Sequence, residues 1–228
     1  MFEEHVERLV QALGLKSMPI GAKFSETSDE RGIGKQMRIC EALDSVRRRR
    51  VIVNLTKENC VCRGGRHIAG WQALSVEELS AIFMEVGVYR SKRIAETSVS
   101  KRPKPVYRGR FLILGPLVKF HVNPDLVLFF ANPAEAERIL GLMCFDGIKQ
   151  FIHYPVSSVC STISNTLAKK KPDMNLISTF ERTRHKWPAD KLIVSLPFKD
   201  FLTAVRSADY SGYGKNPHLR ARACGQSS

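Results

Sequence analysis

Apolar positions recur along the chain with two periods, and the switches between them predict the elements. Phe2, Val6, Leu9, Val10 and Leu13 return at helical spacing ahead of Gly14, which predicts an N-terminal helix with a glycine stop. Pro19-Ile20-Gly21-Ala22-Lys23-Phe24 reads as a short strand, followed by a polar loop over 25–35. Met37, Cys40, Leu43 and Val46 form the next helical stripe, and Val51-Ile52-Val53-Asn54-Leu55 is a β-branched run that predicts a buried strand. That strand delivers the chain into Cys60-Val61-Cys62-Arg63-Gly64-Gly65-Arg66-His67, read as a loop.

Ser75 with Glu78 has capping-box spacing and opens a helix through Leu79, Ile82, Phe83 and Val86 to Gly87. Residues 98–110 are basic and proline-bearing, which predicts an exposed connector. Phe111–Leu117 is a second strong strand. Leu126-Val127-Leu128-Phe129-Phe130 is apolar at every position, as expected of a strand covered on both faces. Asn132-Pro133 starts a helix through Ala136, Ile139 and Leu140 to about Phe145, which places Cys144 in the core. Phe151–Tyr154 predicts a short strand, and Ser157 or Ser158 caps a helix carrying Cys160, Ile163 and Leu167. Lys191–Pro197 and Phe198–Val205 predict a closing strand and helix. Strands and helices alternate, so the expected architecture is α/β (or α+β), with a central mixed sheet flanked by helices.

With 228 residues, 43% apolar and 25% charged, the chain has ordinary globular composition. The expected organisation is a single domain over 1–209 and a basic, flexible tail over 210–228. No apolar run approaches the roughly 18 residues of a membrane span. The start, Met1-Phe2-Glu3-Glu4-His5, lacks the basic and apolar regions of a secretory signal. The expected location is the cytoplasm, where cysteines stay reduced.

A net charge of +14 sharpens the functional question. Residues 31–66 hold ten bases and three acids, including Arg47-Arg48-Arg49-Arg50, and residues 90–110 hold eight bases and one acid. Such a field recruits polyanions, so an anionic ligand or partner is expected, with nucleic acid among the candidates. It is equally the composition of a solvated basic face. Zinc-finger spacing and an RNP-like aromatic strand are absent from the sequence. So are a G-x-S-x-G elbow, both glycine-rich phosphate fingerprints and any H-x-x-x-H pair.

The six cysteines carry the remaining chemistry. Cys60 and Cys62 sit in a turn-rich, electropositive segment, while Cys40 and Cys160 fall on predicted helices near strand ends. Cys40, Cys60, Cys62 and Cys160 are therefore the candidate metal ligands, for an iron–sulfur cluster or alternatively for zinc. The bland reading makes Cys40 and Cys160 core residues. Arg38, Arg63, Gly64, Gly65, Arg66 and His67 form the candidate anion site, with cationic side chains beside a possible backbone nest. The same surroundings would lower a thiol pKa at Cys60 or Cys62 and make either a nucleophile.

Several motifs occur together and in order. They are Pro19–Phe24, Arg38-Ile39-Cys40-Glu41-Ala42-Leu43, Asn59-Cys60 with Gly64-Gly65, Gly115-Pro116-Leu117, Pro124–Val127, Val159-Cys160 and Ser195-Leu196-Pro197. In this succession the chain resembles an archaeal and bacterial family, the domain of unknown function 169. Family membership implies no settled activity. The resemblance also implies a Gly-Cys-x-Gly-Cys-Arg segment before the last strand. The corresponding stretch here, Ile177–Arg182, keeps an arginine and has no cysteine, so the chain either lacks that site or has moved a ligand, with Cys62 the candidate relocation. The functional expectation is a cysteine-based metal or iron–sulfur protein with a redox-related role. The alternative is a non-catalytic nucleic-acid- or anion-binding protein with structural cysteines.

Overall fold

In the computed structural model, which describes residues 2–85, 87–145, 147 and 159–214, six strands form one sheet. They are β1 (Ile20–Ser25), β2 (Val53–Leu55), β3 (Phe111–Pro116), β4 (Leu126–Ala131), β5 (Asp173–Asn175) and β6 (Leu192–Pro197). Their spatial order is β2-β3-β1-β4-β6-β5. All five ladders are antiparallel, where a mixed sheet was expected. The reason is that β1 lies between β3 and β4: the short segment joining those two strands passes across it, so neither helical crossover nor sequence adjacency makes a parallel pair. Among the described residues, parallel pairing is confined to the isolated bridges Ile33–Val53 and Met37–Cys60.

Strand β4 is apolar and buried at every position because both of its faces are covered. Leu112, Leu114, Leu126, Leu128 and Phe130 point into one core, shared with α2 (Ile39–Arg49) and α7 (Ser161–Lys169). Ile113, Val127, Phe129, Val194 and Leu196 point into the other, under α1 (Glu3–Leu13), α6 (Pro133–Phe145) and α9 (Phe198–Ser207). The alternation follows the two-residue period of a strand. Gly21 pairs with Gly115 across β1 and β3, and the Phe120 ring lies over both. A side chain at Gly21 would stand 2.7 Å from that ring, which gives the Pro-Ile-Gly and Gly-Pro motifs a packing reason.

Four further helices are α3 (Arg63–Ile68), α4 (Val76–Glu85), α5 (Lys92–Ser100) and α8 (Thr179–His185). The predicted caps form: Ser75 and Glu78 exchange backbone–side-chain bonds of 2.9 and 3.1 Å, and Asn132 and Glu135 bonds of 2.7 and 2.8 Å. Helices α4 and α5 pack on each other around a satellite core of Leu74, Leu79, Phe83 and Val99. The connector after α5 is tied down, since Trp71 Nε1 donates to the Gly109 carbonyl at 2.8 Å and the Arg102 guanidinium lies 4.4 Å over the Phe83 ring. The run Arg47–Arg50 ends α2, where cations suit the helix dipole, and Arg47 and Arg48 both pair with Asp44 at 2.7 and 2.9 Å.

Cys144 is exposed on the last turn of α6 rather than in the core. The strand expected at Phe151–Tyr154, the caps Ser157 and Ser158, the tail beyond 214, His153, His218 and Cys224 lie outside the described residues. No helix of the described residues is long and apolar enough to cross a membrane.

Candidate metal centre and its cavity

The first turns of three helices and the whole of α8 converge on one side of the sheet. Arg38 caps α2: its N–H donates to Glu41 Oε2 at 2.7 Å and its guanidinium meets Glu41 Oε1 at 2.8 Å. This fixes Cys40 one residue into the helix, buried. Cys62 caps α3, its sulfur accepting the Gly65 N–H at 3.4 Å. Cys60 lies beneath Gly65, where an added Cβ would stand 3.1 Å from the Cys60 sulfur. Cys160, also buried, precedes α7. On α8, Ser178 accepts the Glu181 N–H at 3.3 Å, and Glu181 and His185 follow one helical turn apart on the same face.

Cys40, Glu181 and His185 each present a donor atom, and these atoms lie within 4.8 Å of one another. Glu181 Oε2 and His185 Nε2 are 3.3 Å apart with both side chains 6% exposed. Neither atom has a hydrogen-bond partner, because the pair lacks the alignment a bond needs. Burial pushes the Glu181 carboxyl up, and the His185 ring and Cys40 thiol pull it back part of the way. Burial drives the Cys40 thiol far upward too, and the neighbouring Glu181 carboxylate adds to the rise. Thiol, carboxylate and imidazole are the donor types of transition-metal sites, at about 2.0–2.3 Å from the ion. Ligands of a tetrahedral ion at those distances stand about 3.3–3.7 Å apart, so the three groups would have to draw together by about 1 Å to hold one.

His185 is itself held in place. Its ring lies 5.4 Å from that of Trp187, tilted by 35°, and Trp187 in turn sits edge-on to Phe130. The Trp187 indole donates to Asp44 Oδ1 at 2.8 Å.

Cys40 and Glu181 open onto a cavity of about 190 Å³. Leu79, Ile82 and Phe83 of α4, with Val88, Pro103 and Pro105, supply an apolar wall. The remaining wall, from α2, α3, α7 and α8, mixes Ile39 and Ile68 with polar and sulfur-bearing residues, and Arg38, Arg102 and Arg184 lie in the lining.

Most residues singled out from the sequence meet here. Cys40, Cys62, Cys160, Arg38, Gly64, Gly65 and His67 all line the cavity. Cys60 is packed behind it, bonded to the Cys62 carbonyl at 3.8 Å. Arg63 instead reaches Glu78 at 2.9 Å, and Arg66 is not part of the lining. Gly64-Gly65 forms the first turn of α3 rather than a free loop. Burial pushes the Cys60 thiol up, against the expectation of an activated thiolate there. His67 accepts the Leu74 N–H at 3.1 Å through Nδ1, and burial lowers its pKa.

Glu181 and His185 escaped the sequence reading, although Ser178 and the Glu-x-x-x-His spacing after it mark one face of a short helix. Glu181 falls in the stretch in which the family resemblance implies cysteines, and His185 lies three residues beyond it. In this chain α8 faces Cys40 with a carboxylate and an imidazole.

No solved structure matches the chain. Among curated proteins, an uncharacterised protein of Methanocaldococcus jannaschii is 20% identical over 215 residues, which cover 89% of this chain and 92% of that protein. The profile of the domain of unknown function 169, described as Uncharacterised ArCR, matches residues 8–207, and the chain belongs to that family.

Proposed function

We propose that the protein binds one transition-metal ion through Cys40 Sγ, the Glu181 carboxylate and His185, with an open coordination position turned to the cavity. The observation that carries this reading is the pair of buried atoms, Glu181 Oε2 and His185 Nε2, that stand 3.3 Å apart without hydrogen bonds beside the Cys40 thiol. The two atoms face each other at ion-pair distance with no hydrogen bond to either, and a metal ion at this point would satisfy both together. Three protein ligands and an open position are the pattern of catalytic rather than structural metal sites. The ion would displace the Cys40 proton and hold the thiolate, so binding strengthens as pH rises.

A second reading, a thiolate-bound iron–sulfur cluster with a redox role, is favoured by a different observation. Cys40, Cys62 and Cys160 line the same cavity, and Cys60 lies directly behind Gly65. Anaerobic purification followed by metal and sulfide analysis separates the two. One equivalent of metal without sulfide supports the mononuclear site, and stoichiometric iron with sulfide supports the cluster. Less than a tenth of an equivalent of any transition metal, before and after incubation with zinc or iron, contradicts both.

A further inference from the structure

The cavity onto which Cys40 and Glu181 open has a polar point that no protein group fills. Asn165 of α7 lines it and is only 3% exposed. The Asn165 Nδ2 donates to Asp173 Oδ2 at 3.2 Å, and Asp173 is buried outside the lining. Among the described residues, no group donates to Asn165 Oδ1. The two ends of an amide diverge, so an Nδ2 turned to Asp173 turns Oδ1 away from it. A buried acceptor without a donor is costly.

Most of the surface that the cavity exposes is apolar. Leu79, Ile82 and Phe83 stand three and four residues apart on one face of α4, and Ile39 of α2 and Ile68 of α3 add to the hydrocarbon. At about 190 Å³ the space is slightly larger than the roughly 150 Å³ apolar cavity known to hold benzene.

We propose that this cavity binds a small apolar ring that carries one N–H or O–H donor. The ring packs on Leu79, Ile82 and Phe83 with Ile39 and Ile68, and the donor bonds to Asn165 Oδ1. A water molecule can satisfy the same carbonyl, but it leaves the α4 side chains wetted, whereas such a ligand covers both. A carboxylate offers only acceptors and is repelled by Oδ1. The inference goes beyond the metal reading and does not depend on it, since Asn165 is none of the three candidate ligands.

Indole, benzofuran and indene have nearly the same shape and differ at one ring position, which is N–H, oxygen or CH₂. Titrated calorimetrically into the full chain, indole is expected to bind about tenfold more tightly than either of the others, both before and after treatment with EDTA. Asn165→Leu is expected to bring indole down to the level of indene. That change also strips Asp173 of its donor, so a second variant guards the test. Ile82→Trp fills the cavity from the half-buried face of α4 and is expected to abolish binding of all three. Equal binding of the three probes, or no binding at millimolar concentration, overturns the proposal. So does an indole preference that survives Asn165→Leu or disappears with EDTA, and so does indole binding that Ile82→Trp leaves unchanged.

Discussion

The indole Nε1–H of Trp187 is bonded to Asp44 Oδ1 at 2.8 Å, which joins the end of α8 to the middle of α2. Asp44 also receives Arg47 and Arg48, so the acceptor is itself fixed, and the Trp187 ring stays against His185. Groups that orient a ligand typically alter metal affinity by about 10–100-fold. Trp187→Phe keeps a ring in the core and removes the donor. It is expected to lower metal affinity about tenfold while the protein still unfolds cooperatively, as checked by parallel metal titration and denaturant melts. Unchanged affinity would show that His185 needs no such support.

Asp173 offers a test of the fold by pH. It is buried in β5, where Asn165 Nδ2 donates to its Oδ2 at 3.2 Å while Oδ1 has no partner. Burial raises its carboxyl to about 6, against an unfolded value of about 3.9. The native state therefore keeps this proton longer than the unfolded chain. Its contribution is nil below about pH 4, turns unfavourable as pH rises to about 6, and stays so above. Asp173→Asn is expected to stabilise the protein by about 2 kcal/mol at pH 8 and to leave it unchanged near pH 4, by denaturant unfolding at each pH.

Glu135 behaves in the opposite sense. Burial alone would push its carboxyl up. The backbone N–H groups of Asn132 and Lys16 at 2.7 and 2.8 Å, with Lys191 at 3.0 Å, outweigh that and hold it low. Its stabilisation is present above the unfolded pKa and is lost as pH falls through the lower native one. Glu135→Ala strands Lys191, whose side chain is only 13% exposed, and is expected to cost about 3–5 kcal/mol at pH 7. A loss below about 1 kcal/mol in denaturant melts would mean that Lys191 finds water instead.

Thiol reactivity separates the cysteines by environment. Cys144 is exposed, whereas Cys40 and Cys60 are buried with raised pKa. At pH 7 an alkylating agent is expected to modify Cys144 first, with Cys40 and Cys60 at least a hundredfold slower, read by mass spectrometry of digests. Fast labelling of Cys60 would restore the activated-thiol expectation.

What the sequence made legible follows physical lines. The uninterrupted apolar run Leu126–Phe130 and the Asn132-Pro133 cap declare β4 and α6, because burial on two faces and an N-cap each leave a local trace. Strand β5 leaves none: Asp173-Met174-Asn175 is mostly polar, and its place comes from pairing with β6. In α5 only Ala95 and Val99 are buried, too few to draw a stripe. The turn of α3 was hidden by two glycines, which disfavour helix locally, until Cys62 is seen to cap it. For the site, the cysteine and arginine segments around Cys40 and Cys62 could be read directly. The candidate ligands on α8 could not, since Glu181 and His185 acquire meaning only when the sheet brings a short charged helix against Cys40.

The central claim is that Cys40, Glu181 and His185 act together on a metal, and cobalt(II) titration tests it most directly. The account predicts one cobalt per chain with thiolate-to-cobalt absorption, lost in Cys40→Ser and retained in Cys60→Ser. An absence of stoichiometric binding, or the same absorption in Cys40→Ser, would contradict it.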